Sequence, residues 1–272
     1  MFNSRLKAQH VCLLWLLIRA LYCGPLQAKK QIFWEMIDHR ISVLDTSKFA
    51  AIVGIGPNFA FDHKGDTLLM SYGVETFSVC LQRPSASAGY LTWGPTLGEE
   101  ALKRDAVRAN VIGKHHWVTR MNNVTFISPT GAHLENAPCM GTGCAAIIDS
   151  GTSLIAALGM VLMQLSEQIQ PIKEDCSNLH ELPILHFVID GIPLELPPQA
   201  YVMRVTGAMI EANDVWDVLF FKPKIRKLHM CMPAFMQMDN HTTFDRKVAA
   251  MYFSTAGPDC NPLPLKPHTN NK

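Results

Sequence analysis

Short apolar runs separated by glycine, proline and asparagine recur along most of the chain, and this pattern predicts a mainly β fold. Each run has the length of a strand and is rich in β-branched or aromatic residues, which favour strands. The predicted strands lie at residues 50–56, 77–81, 89–93, 116–126, 145–149, 184–190 and 248–253. Residues 184–196 predict a hairpin, because Asp190 and Gly191 separate two apolar segments and suit a two-residue turn.

Helical spacing of apolar residues is limited to two segments. One predicted helix covers residues 154–168, and a second covers residues 99–108. Prolines at residues 197–198 mark a turn, and the prolines of residues 262–267 mark a C-terminal tail. We therefore expect few helices among many short strands.

The composition supports a folded core and excludes some classes of protein. The chain has 272 residues, with 24 Lys and Arg against 23 Asp and Glu, so the formal net charge is +1. This balance excludes a strongly basic nucleic-acid-binding protein, and no nucleic-acid partner is expected. Hydrophobic residues make up 48% of the chain, which is enough to build a core in one large domain or two small ones.

The N-terminus has the features of a secretory signal. Basic residues precede an apolar run at residues 11–18, and Ala28 offers a small residue for cleavage. Arg19 ends the run, so a membrane-spanning helix is not expected; the competing interpretation is a buried core helix. Two Asn-x-Thr sequons, at Asn123 and Asn240, also fit a secreted chain. The segment that ends at Ala28 is therefore predicted to be a signal peptide.

The cysteines indicate an oxidising compartment rather than a metal site. Cys80 alternates with apolar residues in a predicted strand, so we expect a buried free thiol there. Three states stay open for Cys260: free, exposed in the tail, or paired with Cys80. The intervening cysteines match zinc-binding spacing poorly, and no metal ligands are predicted. They form an even set that suits two disulfides in a secreted chain: Cys139, Cys144, Cys176 and Cys231.

The sharpest candidate for chemistry is Asp149. The strand predicted at residues 145–149 delivers this carboxylate into a tight turn formed by Ser150, Gly151 and Thr152. Glycine lets the backbone pass close to the carboxylate, and the small hydroxyl groups can donate hydrogen bonds to it. Such a turn holds a carboxylate rigidly at the floor of a cleft. The simpler interpretation is an Asp-Ser-Gly turn between a strand and a helix.

The neighbourhood of Asp149 resembles the second active-site region of pepsin-like aspartic proteases. In that family a small disulfide loop precedes a strand that ends in Asp-Thr/Ser-Gly-Thr-Ser, and residues 139–155 carry this pattern. Further stretches resemble family segments in the same order, so the resemblance covers about residues 49–253. These stretches are residues 49–56, 76–83, 89–95, 116–124, 176–201 and 242–253.

The resemblance implies a mainly β, bilobal fold in which two Asp-Thr/Ser-Gly loops meet in a cleft, one from each lobe. Two neighbouring carboxylates share a proton, because like charges cannot both ionise there. One activates a water molecule that attacks the peptide carbonyl group, and the other donates a proton. The implied activity is acid endopeptidase cleavage of peptide or protein substrates without a cofactor. The implied location is the secretory pathway, with an extracellular or a vacuolar or lysosomal destination.

Carried over residue by residue, the resemblance makes Asp149 catalytic, with Ser150, Gly151 and Thr152 supporting its loop. The disulfide of the small loop is then Cys139–Cys144. The family also threads each Asp loop with an apolar-apolar-Gly strand, and the second copy of this strand is hard to find here. Two alignments therefore stay open.

Either residues 232–235 are a degenerate form of that strand, or the strand is deleted and Cys231 pairs with Cys176. We favour the deletion, because it supplies the family's second disulfide. The first lobe also has few counterparts: only 48 residues precede Phe49, and no first Asp-Thr-Gly is present. Asp45 begins the nearest match, which lacks glycine and is predicted to be a turn.

We therefore expect a truncated first lobe followed by a C-terminal lobe. The predicted boundaries are residues 1–28 for the signal peptide, 29–110 for the remnant of the first lobe with the inter-lobe strands, 111–257 for the C-terminal lobe, and 258–272 for a polar tail.

A single Asp loop leaves three hypotheses. The first is an aspartic endopeptidase, impaired on its own because one member of a catalytic pair is missing; a homodimer would bring two Asp149 loops together, as in single-lobed relatives. The second is a catalytically inactive pseudo-protease that binds peptides in the retained cleft. The third is a truncated product without a stable fold, because a missing strand leaves unpaired backbone groups at a sheet edge.

Overall fold

Strands predominate in the molecule, which confirms the predicted mainly β fold. The chain divides into two compact units, Met1–Val74 and Glu75–Lys272. Among the described residues, no helix is long and apolar enough to cross a membrane. The computed structural model describes residues 12–39, 49, 51–59, 66–81, 89–94, 106–134, 139, 141–151, 155–156, 177–202, 220–221, 229–231, 240–257 and 260–264.

The first unit is built on a long antiparallel hairpin. Strand β1 (Cys12–Cys23) pairs with β2 (Leu26–His39) across a turn that contains Gly24. Gly24 has a φ of +55°, a conformation that glycine adopts without steric cost. Most of the residues predicted to form a signal peptide therefore lie in this hairpin, and cleavage after Ala28 stays a prediction.

Residues 51–59 of the first unit form no regular element. The strand predicted at residues 50–56 is therefore wrong for this part, and Ile52 and Val53 are 75% and 58% exposed. A strand needs a neighbour that completes its backbone hydrogen bonds, and no described strand pairs with this segment. A short helix follows at Leu68–Ser71, where the preceding threonine hydroxyl accepts a backbone hydrogen bond as an N-cap.

The second unit contains a sheet of eight strands. They are β6 (Val118–Ile127), β7 (His133–Leu134), β8 (Cys144–Ile147), β9 (Ile155–Ala156), β10 (Ile184–Ile189), β11 (Ile192–Leu196), β12 (Phe220–Phe221) and β13 (His229–Cys231). Their order is β11–β10–β6–β8–β13–β9–β12, with β7 paired to β6. The predicted hairpin is confirmed: β10 and β11 pair across Asp190 and Gly191, whose φ angles are +47° and +89°.

A second sheet in the same unit joins early and late parts of the chain. Its six strands are β3 (Thr76–Cys80), β4 (Tyr90–Trp93), β5 (Val107–Asn110), β14 (Asn240–Asp245), β15 (Ala250–Ala256) and β16 (Pro262–Leu263). Their order is β16–β15–β14–β3–β4, with β5 paired to β15. Strands from the stretch assigned to the first-lobe remnant thus share a sheet with strands from the C-terminal stretch.

An aromatic cluster packs between residues of the two sheets. The Phe77 and Phe244 rings stack with centroids 4.7 Å apart, and Trp117, which lies just before β6, contacts both rings at 5.8 and 5.1 Å. Trp93 adds a fourth ring, 6.3 Å from Phe77. Aromatic pairs at these spacings contribute about 0.5–1.5 kcal/mol each beyond the burial of their area. Phe77, Phe244 and Trp117 are buried, so the cluster forms part of the core of the second unit.

Of the three states left open for Cys260, the pairing with Cys80 is the one that is present. Cys80 is not the expected free thiol, because its Sγ is bonded to that of Cys260, 180 residues later in the chain. Both residues are buried. The alternation around Cys80 indicated burial correctly, but the partner comes from a distant segment that the local pattern does not contain.

The predicted helices differ from the structure where they are described. The end of the helix predicted at residues 99–108 is instead the beginning of β5, which pairs with β15. The beginning of the helix predicted at residues 154–168 contains β9, which pairs with β12 and β13. Sheet pairing overrides weak helical periodicity in both places. Residues 99–105 and 157–168 lie outside the described residues.

Candidate active site

Strand β8 delivers the candidate carboxylate and is held on both sides. On one side it pairs antiparallel with β6, where Val118 lies opposite Ile147. On the other side it pairs parallel with β13, where Cys231 lies opposite Ile147. A strand with neighbours on both edges has its backbone hydrogen bonds satisfied, so the position at which it ends is well defined. Asp149 follows two residues after this end.

The residue before the carboxylate is anchored by Trp117. The Ile148 N–H donates a hydrogen bond to the Trp117 carbonyl oxygen at 2.9 Å, and Ile148 is only 3% exposed. The Trp117 ring is in turn fixed by the aromatic cluster with Phe77 and Phe244. Packing of the second unit thereby sets the point at which the chain emerges at Asp149.

The predicted turn at Asp149 is present in the part that the structure describes. The Asp149 Oδ1 accepts a hydrogen bond from the Gly151 N–H at 2.9 Å. This contact closes a turn of the carboxylate onto the backbone two residues later, as aspartate commonly does. Asp149 is half-buried, while Ser150 and Gly151 are exposed. A Cβ at Gly151 would lie 3.2 Å from Oδ1, so glycine leaves the carboxylate room in the turn.

Thr152, the other residue predicted to support the loop, lies outside the described residues. Its hydroxyl contact with Asp149 stays a prediction, as does the hydroxyl contact of Ser150. Asp45 and its neighbours also lie outside the described residues. The sequence contains one Asp-Ser-Gly and no Asp-Thr-Gly, so Asp149 is the candidate that the described fold positions.

The disulfide loop that the resemblance implies is present before β8. Cys139 and Cys144 are bonded, and both are buried. Gly143, inside this loop, has a φ of +77° and lies against β6. A Cβ there would overlap the Oδ1 of Asn122 and lie 2.9 Å from the Met121 carbonyl oxygen. The loop therefore approaches β6 closely only because position 143 has no side chain.

Strand β13 (His229–Cys231) pairs with β8 and also antiparallel with β9, so it lies between the strand before Asp149 and the strand after it. Residues 232–235, the other candidate for the second apolar-apolar-Gly strand, lie outside the described residues, and the choice between the two alignments stays a prediction. Cys176 lies outside the described residues, and its pairing with Cys231 stays a prediction.

The described residues offer few alternatives for chemistry. No group of three or more His, Cys, Asp or Glu side chains among them is arranged to hold a metal ion. Burial lowers the pKa of His186, in β10, and nearby Glu195 opposes the shift. Its ring lies beside Thr125 and His133.

Comparisons with known proteins agree with this geometry. The sequence profile of the eukaryotic aspartyl proteases matches residues 19–254, and the chain belongs to this family. It is similar to cathepsin D from Rattus norvegicus, with 28% identity over 204 residues, which is 68% of this chain and 47% of that protein. It is also similar to cathepsin E-A from Xenopus laevis, with 30% identity over 68% of this chain and 48% of the relative.

Pepsin A from Bos taurus is 25% identical over 72% of this chain and 54% of that protein. The chain thus spans about half the length of the curated relatives that it matches. Membership of the family confirms the predicted pepsin-like fold.

Proposed function

We propose that this chain acts as an aspartic-type endopeptidase that hydrolyses peptide or protein substrates at acidic pH, with Asp149 as one of two catalytic carboxylates. The observation that carries the proposal is the Asp149 turn. The carboxylate follows a strand paired on both edges, one oxygen is oriented by the Gly151 N–H, and the side chain stays partly exposed. Family membership supports the same assignment.

The chemistry assigned to Asp149 needs a second carboxylate. In such a pair one group is ionised and takes a proton from the attacking water, while the protonated group donates to the substrate. The Gly151 N–H donates a hydrogen bond to the Asp149 Oδ1 and so orients the carboxylate in the turn. Ser150 and Thr152 are proposed to add hydroxyl hydrogen bonds in the same loop.

A second copy of the chain is the proposed source of the partner carboxylate. The single Asp-Ser-Gly in the sequence supports a homodimer in which two Asp149 loops face each other. Activity should then rise more steeply than linearly with chain concentration. An excess of the Asp149→Asn chain should suppress the wild-type chain, because mixed pairs hold one ionisable carboxylate. A strictly linear, unsuppressed rate contradicts the homodimer.

Hydrolysis of an internally quenched peptide with bulky apolar residues at the cleavage site tests the activity itself. We expect cleavage by the purified full chain at about pH 3–5, reduced about a thousand-fold or more in Asp149→Asn. Asp245→Asn is a matched control, because the Asp245 Oδ1 also accepts backbone hydrogen bonds in a turn, from Lys247 and Val248 at 2.8 and 3.2 Å. Equal cleavage by Asp149→Asn would refute the proposal.

The second candidate function is peptide binding without turnover. The single Asp-Ser-Gly of the sequence favours it, because the acid-protease chemistry needs two such loops. A peptide with a non-hydrolysable backbone bond at its centre distinguishes the two functions. Binding without cleavage of the matched normal peptide supports the pseudo-protease, and absence of both binding and cleavage removes both candidates.

We also propose that the chain enters the secretory pathway, with an extracellular or a vacuolar or lysosomal destination. Two disulfides in the described structure support an oxidising compartment. The apolar N-terminal run supports entry by a signal peptide. N-terminal sequencing of the chain recovered from cells tests the cleavage: a start at Lys29 supports it, and recovery of an intact, cytoplasmic chain contradicts it.

A further inference from the structure

A bulge in β6 turns one asparagine out of the large sheet. Asn122 pairs with Val188 and Thr125 pairs with His186, so Asn123 and Val124 together lie opposite the single residue Phe187. An extra residue of this kind is a β-bulge, which re-aims the side chains around it. Asn123 has a φ of +50°, a conformation that asparagine adopts more readily than most residues.

The three residues of the bulge have different environments. Val124 is 2% exposed and belongs to the core, and Asn122 is half-buried, with its Oδ1 close to the position that a Cβ of Gly143 would occupy. Asn123 is exposed. The bulge therefore presents a single amide to solvent and keeps both of its neighbours packed.

The exposed amide is the first residue of the Asn-x-Thr sequon formed by Asn123, Val124 and Thr125. Thr125 lies beside His186, with its Oγ1 3.3 Å from the ring Nδ1, and the backbone of Asn123 also hydrogen bonds that ring. These contacts hold the His186 ring against the sequon. The following turn, at residues 129–133, is also exposed, which leaves room for a bulky group on this side.

We propose that Asn123 is an acceptor for an N-linked glycan. The co-reactant is an oligosaccharide carried on a lipid diphosphate. The Asn123 Nδ2 bonds to the anomeric carbon of the first sugar, the C–O bond from that carbon to the diphosphate breaks, and the amide loses one proton as the lipid diphosphate leaves. This site rests on the proposed entry into the secretory pathway, where such glycans are attached to surface sequons.

The second sequon has a different environment. Asn240 begins β14, the strand that lies between β15 and β3 in the middle of its sheet. The other two sequon residues, His241 and Thr242, are 3% and 0% exposed. The two sequon positions that follow Asn240 are therefore packed inside a sheet, whereas Asn123 itself lies on an exposed bulge. The structure thus assigns the modification to Asn123.

Expression of the full chain in cultured animal cells tests this assignment. A C-terminal Asn-Ser-Thr tag is added as a reporter of lumenal exposure, and digestion with peptide-N-glycosidase is followed by peptide mass mapping. We expect Asn123 to be converted to aspartate by the digestion. Asn123→Gln and Thr125→Ala should each increase the gel mobility of the chain by the equivalent of one glycan. Thr125→Ser should keep the glycan, and Asn240→Gln should leave the mobility unchanged.

Two versions of the chain separate failure of the site from failure of the location. One has its own N-terminus, and the other has an unrelated secretory signal fused ahead of it. An unmodified Asn123 in a fused chain whose tag is glycosylated overturns the acceptor site. If the tag is glycosylated only in the fused chain, the proposed secretory entry is overturned. The state of Asn123 in the fused chain then shows whether it is an acceptor site. Thr125→Ala covers the case in which Asn123→Gln does not fold.

Discussion

The carboxylate of Asp190 accepts two hydrogen bonds from Asn110, one from its backbone N–H and one from its side-chain amide, each at 2.8 Å. Asp190 is in the β10–β11 turn of the large sheet, and Asn110 is the last residue of β5 in the other sheet. Arg108 donates to the Asn110 Oδ1 at 2.6 Å and orients the amide. This contact ties a hairpin turn of one sheet to a strand end of the other.

Removing the Asp190 carboxylate should weaken the contact between the two sheets. We expect Asp190→Ala to lower the free energy of unfolding by about 1.5–2 kcal/mol, the lower part of the range for hydrogen bonds to charged groups, because the site is exposed to solvent. Asp190→Asn is the matched control, since asparagine tolerates the positive φ and keeps one acceptor oxygen. Urea unfolding measures both. Wild-type stability in Asp190→Ala would contradict the prediction, and equal losses in the two variants would show that the negative charge, rather than the turn conformation, is responsible for the stabilisation.

The two disulfides should differ in what they contribute to stability. Cys80 and Cys260 are 180 residues apart, while Cys139 and Cys144 are five apart. A cross-link restricts the unfolded chain more when it closes a longer loop. We expect loss of Cys80–Cys260, as a double replacement by alanine, to cost about 4–5 kcal/mol.

Loss of Cys139–Cys144 by the same double replacement should cost about half as much. Chemical denaturation of both variants, with and without a reductant, measures the difference. The reductant should bring the wild-type chain and the two variants close to the same stability, because the cross-links that distinguish them are then open. A larger loss from the short loop would contradict the loop-length argument.

Gly143 offers a test of the close approach between the disulfide loop and β6. Gly141 and Gly143 both have positive φ, at +71° and +77°, so alanine at either position costs about 1–2 kcal/mol of backbone strain. Only at Gly143 does the added Cβ meet other atoms, those of Met121 and Asn122. We expect Gly143→Ala to be clearly less stable than Gly141→Ala in thermal unfolding.

A second replacement identifies the atom responsible. Asn122→Ala removes the side chain that the new Cβ would overlap, so it should restore part of the stability lost in Gly143→Ala. If Gly141→Ala and Gly143→Ala lose the same stability, backbone conformation alone explains both, and the proposed steric contact is wrong.

The features that the sequence predicted correctly are local ones. The β10–β11 hairpin is determined by consecutive residues. Its register follows from the turn at Asp190 and Gly191 and from the apolar segments on either side. The Asp149 turn is predictable for the same reason. Its chemistry needs a strand, an aspartate and a glycine in direct succession.

Features that depend on distant residues were not predictable. The Ile148 N–H is fixed by the Trp117 carbonyl oxygen and β8 by β13, while the sequence left the Cys80–Cys260 pair open as one of three states of Cys260. Each of these contacts joins segments that are far apart in the chain, and the local hydrophobic pattern does not indicate which distant segments will meet. The strand β5 shows the same limit, since only its pairing with β15 distinguishes it from the end of an amphipathic helix.

His241 should make the fold less stable in acid, in opposition to the acidic pH proposed for activity. It is 3% exposed in β14, and burial lowers its pKa below the usual value of about 6.5. Between the lowered folded value and about 6.5, the unfolded chain binds more protons than the folded chain. The contribution of His241 to stability is therefore complete above about pH 6.5 and is lost as the pH falls through this window.

Urea unfolding at several pH values, compared between the wild type and His241→Gln, measures this contribution. We expect the variant to lose less stability than the wild type between about pH 7 and pH 5, because the titrating group is gone. Some slope should remain, since burial also lowers the pKa of His186. His180→Gln, at an exposed histidine, is the matched control and should follow the wild-type profile. Parallel profiles for the wild type and His241→Gln would contradict the assignment to His241.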